Sequence, residues 1–186
     1  MPINRGYYKA GKIKWVYAYD ESNWPVHEQI QELEEDNIVF VDTFNCGNRA
    51  IFGELVSKYI LLYRQSRAIV INGNMRDAAA LIRENWPIWC KGLNPVGCFN
   101  RKPDKPFNEE QRQKNYEKYD GAIAVCDDCG VVIIPKDRIN EEFYSKHWLR
   151  LKIRRIFGLI VFDHYKENTF DIVCMKNYLK DENYRK

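Results

Sequence analysis

The sequence has no long hydrophobic run, no strong excess of either charge and few histidines. Its apolar stretches are short pieces such as Ala122–Val125 and Val131–Pro135, against the ~20 apolar residues that a membrane-spanning helix needs. The first residues, Met1-Pro-Ile-Asn-Arg-Gly-Tyr-Tyr-Lys9, lack the apolar segment of a secretory signal. These absences lead to the expectation of a soluble, cytoplasmic protein without a membrane partner. Lys and Arg number 29 against 26 Asp and Glu, a formal net charge of +3. So small an excess gives no electrostatic reason to expect nucleic acid as the partner. There is no Walker phosphate loop, no GxGxxG, no HExxH helix and no GxSxG elbow, which removes the common nucleotide, zinc-protease and esterase readings. His27, His147 and His164 are far apart and suggest no triad.

Six cysteines are present: Cys46, Cys90, Cys98, Cys126, Cys129 and Cys174. Without a secretory signal, reduced thiols are expected rather than a disulfide framework. Cys126-Asp-Asp-Cys129 has the spacing of a zinc half-site. A structural zinc takes four ligands, and no second pair has that spacing, so a turn flanked by buried thiols is the expectation.

What is present is an ordinary globular composition. The 186 residues suit one domain, and 45% hydrophobic with 14% aromatic residues excludes disorder. Residues 1–36 read as an N-terminal arm and a helix, the helix over Val26–Glu35. Ile38-Val-Phe-Val41 is a β-branched run expected to form a buried strand. After Gly53 the positions Leu55, Val56, Tyr59, Ile60 and Tyr63 fall on one helical face. Ala68–Asn72 is a second strand, and an alanine-rich helix runs from Asp77 to about Glu84. Pro87–Cys90 is a third strand, ended by Gly92 and Pro95. Strands alternating with helices predict an α/β protein with a parallel unit. Residues 100–119 interrupt it as a polar insertion, a solvated loop followed by a polar helix. Ala122–Cys126 and Val131–Pro135 predict a hairpin. Residues 138–186 read as an extended C-terminal α+β region on the same domain. It includes a helix from Arg138 to Arg155 and a strand over Leu159–Phe162.

Two features carry chemistry. Gly53 precedes a helix and Arg76-Asp77 follows a strand and turn, so both fall at strand carboxyl ends, where open α/β sheets bind ligands. A helix start offers free N–H groups to an anion, Arg76 could clamp a carboxylate bidentately, and Asp77 could hold Mg²⁺ or Mn²⁺. The residues alone leave another reading open, in which Asp77 caps a helix and Arg76 pairs with a surface acid. Glu54 reads as a first-turn acid favoured by the helix dipole rather than as a general base. The basic stretch Lys146–Arg155, with Trp148 inside it, could touch phosphates; a solvated helix face is the preferred reading.

Four blocks then share a resemblance. They are Val39-Phe-Val-Asp-Thr-Phe-Asn-Cys-Gly-Asn-Arg-Ala-Ile-Phe-Gly-Glu-Leu55, Ile69-Val-Ile-Asn-Gly-Asn-Met-Arg-Asp77, Trp86-Pro-Ile-Trp-Cys-Lys-Gly-Leu-Asn-Pro95 and Val125-Cys-Asp-Asp-Cys-Gly-Val-Val-Ile-Ile-Pro135. In order and content they resemble the RraA-like family of ribonuclease regulators and class II 4-hydroxy-4-methyl-2-oxoglutarate aldolases. The resemblance spans residues 37–137 and implies a swivelling β/β/α domain assembled as a ring-shaped homotrimer, with the enzymes' site between subunits. It implies that Gly53, Glu54, Leu55 and Val56 form the loop holding a pyruvate carboxylate. Arg76 would be the substrate-binding and catalytic residue and Asp77 the ligand of a divalent cation. The implied activity is a lyase cleaving a C–C bond of a small 2-oxo acid, of the aldolase or oxaloacetate decarboxylase type. The implied alternative is a non-catalytic regulator that binds a ribonuclease or another protein. The sequence departs from the pattern at Ala80, where the enzymes have an acidic residue, at the insertion and at Cys129.

Overall fold

Alternating apolar positions build the centre of the molecule. Ile38–Phe44 forms β2, Ala68–Ile71 forms β3 and Ile88–Trp89 forms β5; all three pair in parallel. The computed structural model describes residues 1–140 and 168–175. The chain forms two compact units, Met1–Lys136 and Asp137–Lys186.

In the first unit the six strands lie in the order β5, β3, β2, then β1 (Lys9–Tyr19), β7 (Ile123–Asp127) and β8 (Gly130–Ile134). The strand β1 spans Lys9–Tyr19 and lies parallel to β2, with Trp15 opposite Phe40. This part of the chain was expected to be an arm ahead of a helix. Instead it supplies an eleven-residue strand inside the sheet. Its signature is the alternation Lys12-Ile13-Lys14-Trp15, a period of two that lysines on the outer positions disguise. Ile13 and Trp15 are buried on one face, Val16 and Ala18 in the core of the other. The expected helix follows as α1, Trp24–Gln29, extended by a 3₁₀ turn over Ile30–Glu32. Residues 1–3 run along the far edge of the sheet, where Ile3 N donates to Ile88 O at 2.9 Å and Pro2 bridges Trp89.

The helix after Gly53 begins as α2, Glu54–Lys58, and continues as a π-helical turn over Tyr59–Tyr63. The inward side already differs from the expected one in the first turn, where Val56 and Ser57 are buried. Val56, Ile60 and the neighbouring Leu61 are buried, whereas Leu55 and Tyr63, expected on the buried face, are 82% and 70% exposed. The third helix, α3, is Ala78–Arg83. Side chains from α1, α2 and α3 share one core cluster with Val39, Val41, Ile69 and Ile71, so all three helices cover the same face of the sheet.

The opposite face is aromatic. Ile13, Trp15, Phe40, Val70 and Trp89 form its cluster. The hairpin of β7, Ile123–Asp127, and β8, Gly130–Ile134, is antiparallel and joins β1 antiparallel, as its turn residues predict. Its addition curls the sheet into a half-barrel. The polar insertion is a loop followed by the polar helix α4, Glu109–Tyr119, capped by Asn108, whose side chain accepts from Gln111 N. Phe107 reaches from that loop to stack on Tyr17 at 4.7 Å, and Tyr119 meets Phe40 edge-on at 5.0 Å. A short parallel pair, β4 (Asn74–Met75) and β6 (Gly92–Leu93), sits apart from the main sheet.

In the second unit a π-helical turn covers Phe170–Met175, started by Asn168, whose side chain accepts from Asp171 N at 3.0 Å. The expected helix over Arg138–Arg155, the basic stretch within it and the strand over Leu159–Phe162 lie almost wholly outside the described residues. No helix among the described residues is long and apolar enough to cross a membrane.

Candidate functional site

Beyond the carboxyl ends of β2 and β3 the chain folds back in two loops that lie side by side. Ile51 N donates to Asn74 O at 2.9 Å, and Arg76 N donates to Phe52 O at 3.1 Å. This pairing delivers Gly53 to Arg76 and Asp77. Gly53 has φ −140°, outside the left-handed region, so the glycine is needed for space rather than for a positive φ. A Cβ there would lie 1.9 Å from Asp77 Oδ2 and 2.8 Å from Arg76 Cγ. The three residues singled out in the sequence are therefore in van der Waals contact.

Asp77 departs from the expected helix cap. It occupies the position before α3, but its backbone is left-handed, φ 61° and ψ 39°. Only its carbonyl serves α3, accepting from Ala80 N and Leu81 N. A capping side chain needs extended backbone to turn over its own helix. The left-handed geometry instead directs the carboxylate to α2, where Oδ2 accepts from Glu54 N at 3.0 Å. Arg76 Nε stands 3.7 Å from the same oxygen. In the other reading Arg76 pairs with a surface acid; the acid beside it in the structure is its own neighbour, Asp77. A non-glycine residue in this region costs on the order of 1–3 kcal/mol and is held there by surrounding contacts.

Both side chains are about half exposed, Arg76 at 44% and Asp77 at 45%. Asp77 Oδ1 accepts no hydrogen bond among the described residues. Glu54 faces Arg83, 3.5 Å away. Leu55 points outward and Val56 inward. Ala80 supplies no second carboxylate, and among the described residues no three His, Cys, Asp or Glu side chains cluster as a metal site. One half-exposed carboxylate with a free oxygen is the kind of single protein ligand that a hard divalent cation keeping most of its waters can use. It does not fit zinc. The Cys126–Cys129 pair does not fit zinc either: Cys126 is buried and Cys129 exposed, and the turn between them is closed by Asp127 Oδ1 accepting from Cys129 N at 2.8 Å.

Two residues of the site had no role in the sequence reading. Gly97 is one: a Cβ there would lie 2.5 Å from Arg76 Nη1, so the guanidinium rests directly on its backbone. Arg49 is the other. It donates to Gly97 O at 3.0 Å and pairs with Glu21 at 3.2 Å, fixing the loop against which Arg76 leans. Asn94-Pro-Val-Gly97 carries turn residues, which mark a loop and say nothing of what lies against it.

Fold and site together define an α/β protein with an arginine–aspartate pair at the strand carboxyl ends. A family model described as RraA-like, Aldolase/RraA, matches residues 1–133, and the chain belongs to the RraA-like family, whose members are lyases or ribonuclease regulators. The match includes the N-terminal residues that hold β1. Protein DlpA of Legionella pneumophila is 24% identical over 127 residues, 68% of this chain and 20% of that protein. The chain thus spans about a fifth of that curated relative's length. The RraAS2 structure of Streptomyces coelicolor, an unusual member of the RNase ES inhibitor RraA family, superposes with a TM-score of 0.60 at 17% identity, covering 83% of this chain and 81% of that one. The RNA-processing inhibitor RraA of a Thermus species superposes at 0.55 with 18% identity, covering 73% and 80%. At these identities the structures establish the fold alone.

Proposed function

We propose that the chain is a divalent-metal-dependent lyase that cleaves a C–C bond of a small 2-oxo acid to release pyruvate, of the aldolase or oxaloacetate decarboxylase type. The observation that carries this reading is the close packing of Gly53, Arg76 and Asp77, with the carboxylate held in a strained left-handed backbone. Strain of this kind collects at functional sites. Asp77 would hold Mg²⁺ or Mn²⁺, which when bound acts as a Lewis acid toward the 2-oxo group.

The chain's own residues supply the rest. The hydrogen bond from Glu54 N fixes the carboxylate of Asp77. It uses one of the free N–H groups of the first turn and leaves those of Leu55 and Val56, which have no intrahelical partner, to receive a substrate carboxylate. Arg76, braced on Gly97, adds a fixed positive charge where negative charge develops as the C–C bond breaks. Preorganised charge of this sort stabilises a transition state without reorganisation. A homotrimer is the proposed assembly, with a neighbouring subunit covering the exposed Leu55 edge of the site.

The test is pyruvate release from oxaloacetate with Mg²⁺ or Mn²⁺ against a metal-only control, with EDTA, and with Asp77→Ala and Arg76→Ala. Metal-dependent turnover lost in both variants supports the lyase. A second reading is a non-catalytic regulator that binds a ribonuclease or another protein. It is favoured by Ala80, which leaves Asp77 as a lone carboxylate. Wild-type rates equal to the control would select it.

A further inference from the structure

Outside the arginine–aspartate site, one cluster of reactive side chains has no part in the proposed chemistry. Cys46 follows β2, and Cys98 lies beyond β6. Backbone pairing brings their segments together. Ala50 N donates to Val96 O and Ala50 O accepts from Cys98 N, each at 2.8 Å, while Arg49 N donates to Cys46 O at 3.2 Å and folds the intervening turn back. Glu21 ties the outer side, its N donating to Asn45 O at 3.1 Å and its carbonyl accepting from Phe99 N at 2.8 Å. Both cysteines are buried in one core cluster, 4% and 9% exposed; the Cys46 thiol donates to Phe44 O at 3.5 Å, and the two thiols lie close enough to shift each other's titration.

From this arrangement we propose that Cys46 and Cys98 form a reversible intramolecular disulfide when a hydroperoxide reaches them. The two thiols have distinct parts. Its neighbour Cys98 pulls the Cys46 thiol below the ordinary thiol range, making it the more acidic of the two, while Cys46 and burial push Cys98 up. Cys46 is assigned as the nucleophile and Cys98 as the resolving thiol, because a thiolate with a second thiol beside it can resolve to a disulfide. Burial pushes the thiol of Cys90 up, and burial together with the Asp127 charge pushes that of Cys126 up to about 12, so neither is a ready thiolate. In the first step the Cys46 thiolate attacks one peroxide oxygen, the O–O bond breaks, and Cys46 becomes a sulfenic acid with release of hydroxide. In the second, Cys98 sulfur attacks the Cys46 sulfur, and the S–O bond breaks. The departing hydroxide takes the Cys98 proton as water. In sum, two thiols and one hydrogen peroxide give one disulfide and two waters. A dithiol reductant reverses it by exchange.

The bond would staple the segment next to Gly97, on which Arg76 rests, to the loop that leads into Gly53. It would thereby fix both walls of the site. The proposal stands apart from the lyase reading, because mass and thiol count measure it directly.

The experiment treats the folded full chain with hydrogen peroxide, counts thiols after denaturation and maps proteolytic peptides. The expected result is loss of two of the six thiols within one chain, a linked pair of peptides carrying Cys46 and Cys98, and recovery with dithiothreitol. Closing so long a loop should also raise Tm by about 5 °C or more. In Cys98→Ser, dimedone should label Cys46. If that variant does not fold, the wild-type peptide map decides alone. Oxidation confined to the exposed Cys129 or Cys174 with Cys46 and Cys98 left free, or linkage of Cys46 to another cysteine, overturns the proposal.

Discussion

The two faces of the central sheet are built from different materials. The helix-covered face is aliphatic, with Val39, Val41, Ile69 and Ile71 against Val56, Ile60 and Leu81. The other is aromatic, with Trp15, Phe40 and Trp89 met by Phe107 and Tyr119 from the polar insertion. The aliphatic face is covered by the crossover helices that parallel strands require. The aromatic face has no such cover from its own topology. Rings reach across a wide gap and tolerate a partly wet edge, so a loop and a polar helix suffice there. The insertion that interrupts the family pattern is thus the lid of the second face.

This contrast sets the order of expected effects. Leu81 is fully buried on the aliphatic face, and Leu81→Ala should cost ~2–5 kcal/mol in urea unfolding. Phe107 is only partly buried, yet it stacks on Tyr17 and meets Tyr19 and Phe44 at a tilt. Phe107→Ala should cost about 1–2 kcal/mol; a loss as large as that of Leu81→Ala would erase the distinction between the faces. At the site, stability and activity should separate. Asp77→Gly relieves left-handed strain and should leave stability unchanged or raise it by about 1 kcal/mol, while metal-dependent turnover disappears. Gly53→Ala should abolish turnover as well, because its Cβ would take the place of the Asp77 carboxylate.

The smallest effect is electrostatic. Burial lowers the pKa of His27 from its ordinary 6.5. The unfolded chain then binds a proton that the folded chain does not, between the folded value and 6.5. Stability rises with pH across that window and is flat above it. His27→Gln should remove this slight slope from Tm measured between pH 5 and about pH 8.

The same contrast explains which elements were legible in the sequence. β2, β3 and the β7–β8 hairpin are β-branched runs bounded by turn residues, and they announce themselves. β1 is half lysine and aromatic along its length, so its period of two was hidden by its charge, and an inner strand read as an arm. The helix after Gly53 was recognisable, but its apolar face was not: the inward side is Val56, Ser57, Ile60 and Leu61, and the polar Ser57 within it hides the stripe. At the site, Gly53, Arg76 and Asp77 could be named from order and spacing. Their contact could not, since it depends on the left-handed backbone of Asp77, and neither could Gly97 or Arg49, which act through tertiary packing alone.

The most direct test of the lyase reading is the rate of pyruvate release from oxaloacetate with Mg²⁺, corrected for free metal, in wild type and in Asp77→Ala. The account predicts turnover above the control that EDTA and the substitution both abolish. Turnover that survives Asp77→Ala unchanged would contradict it.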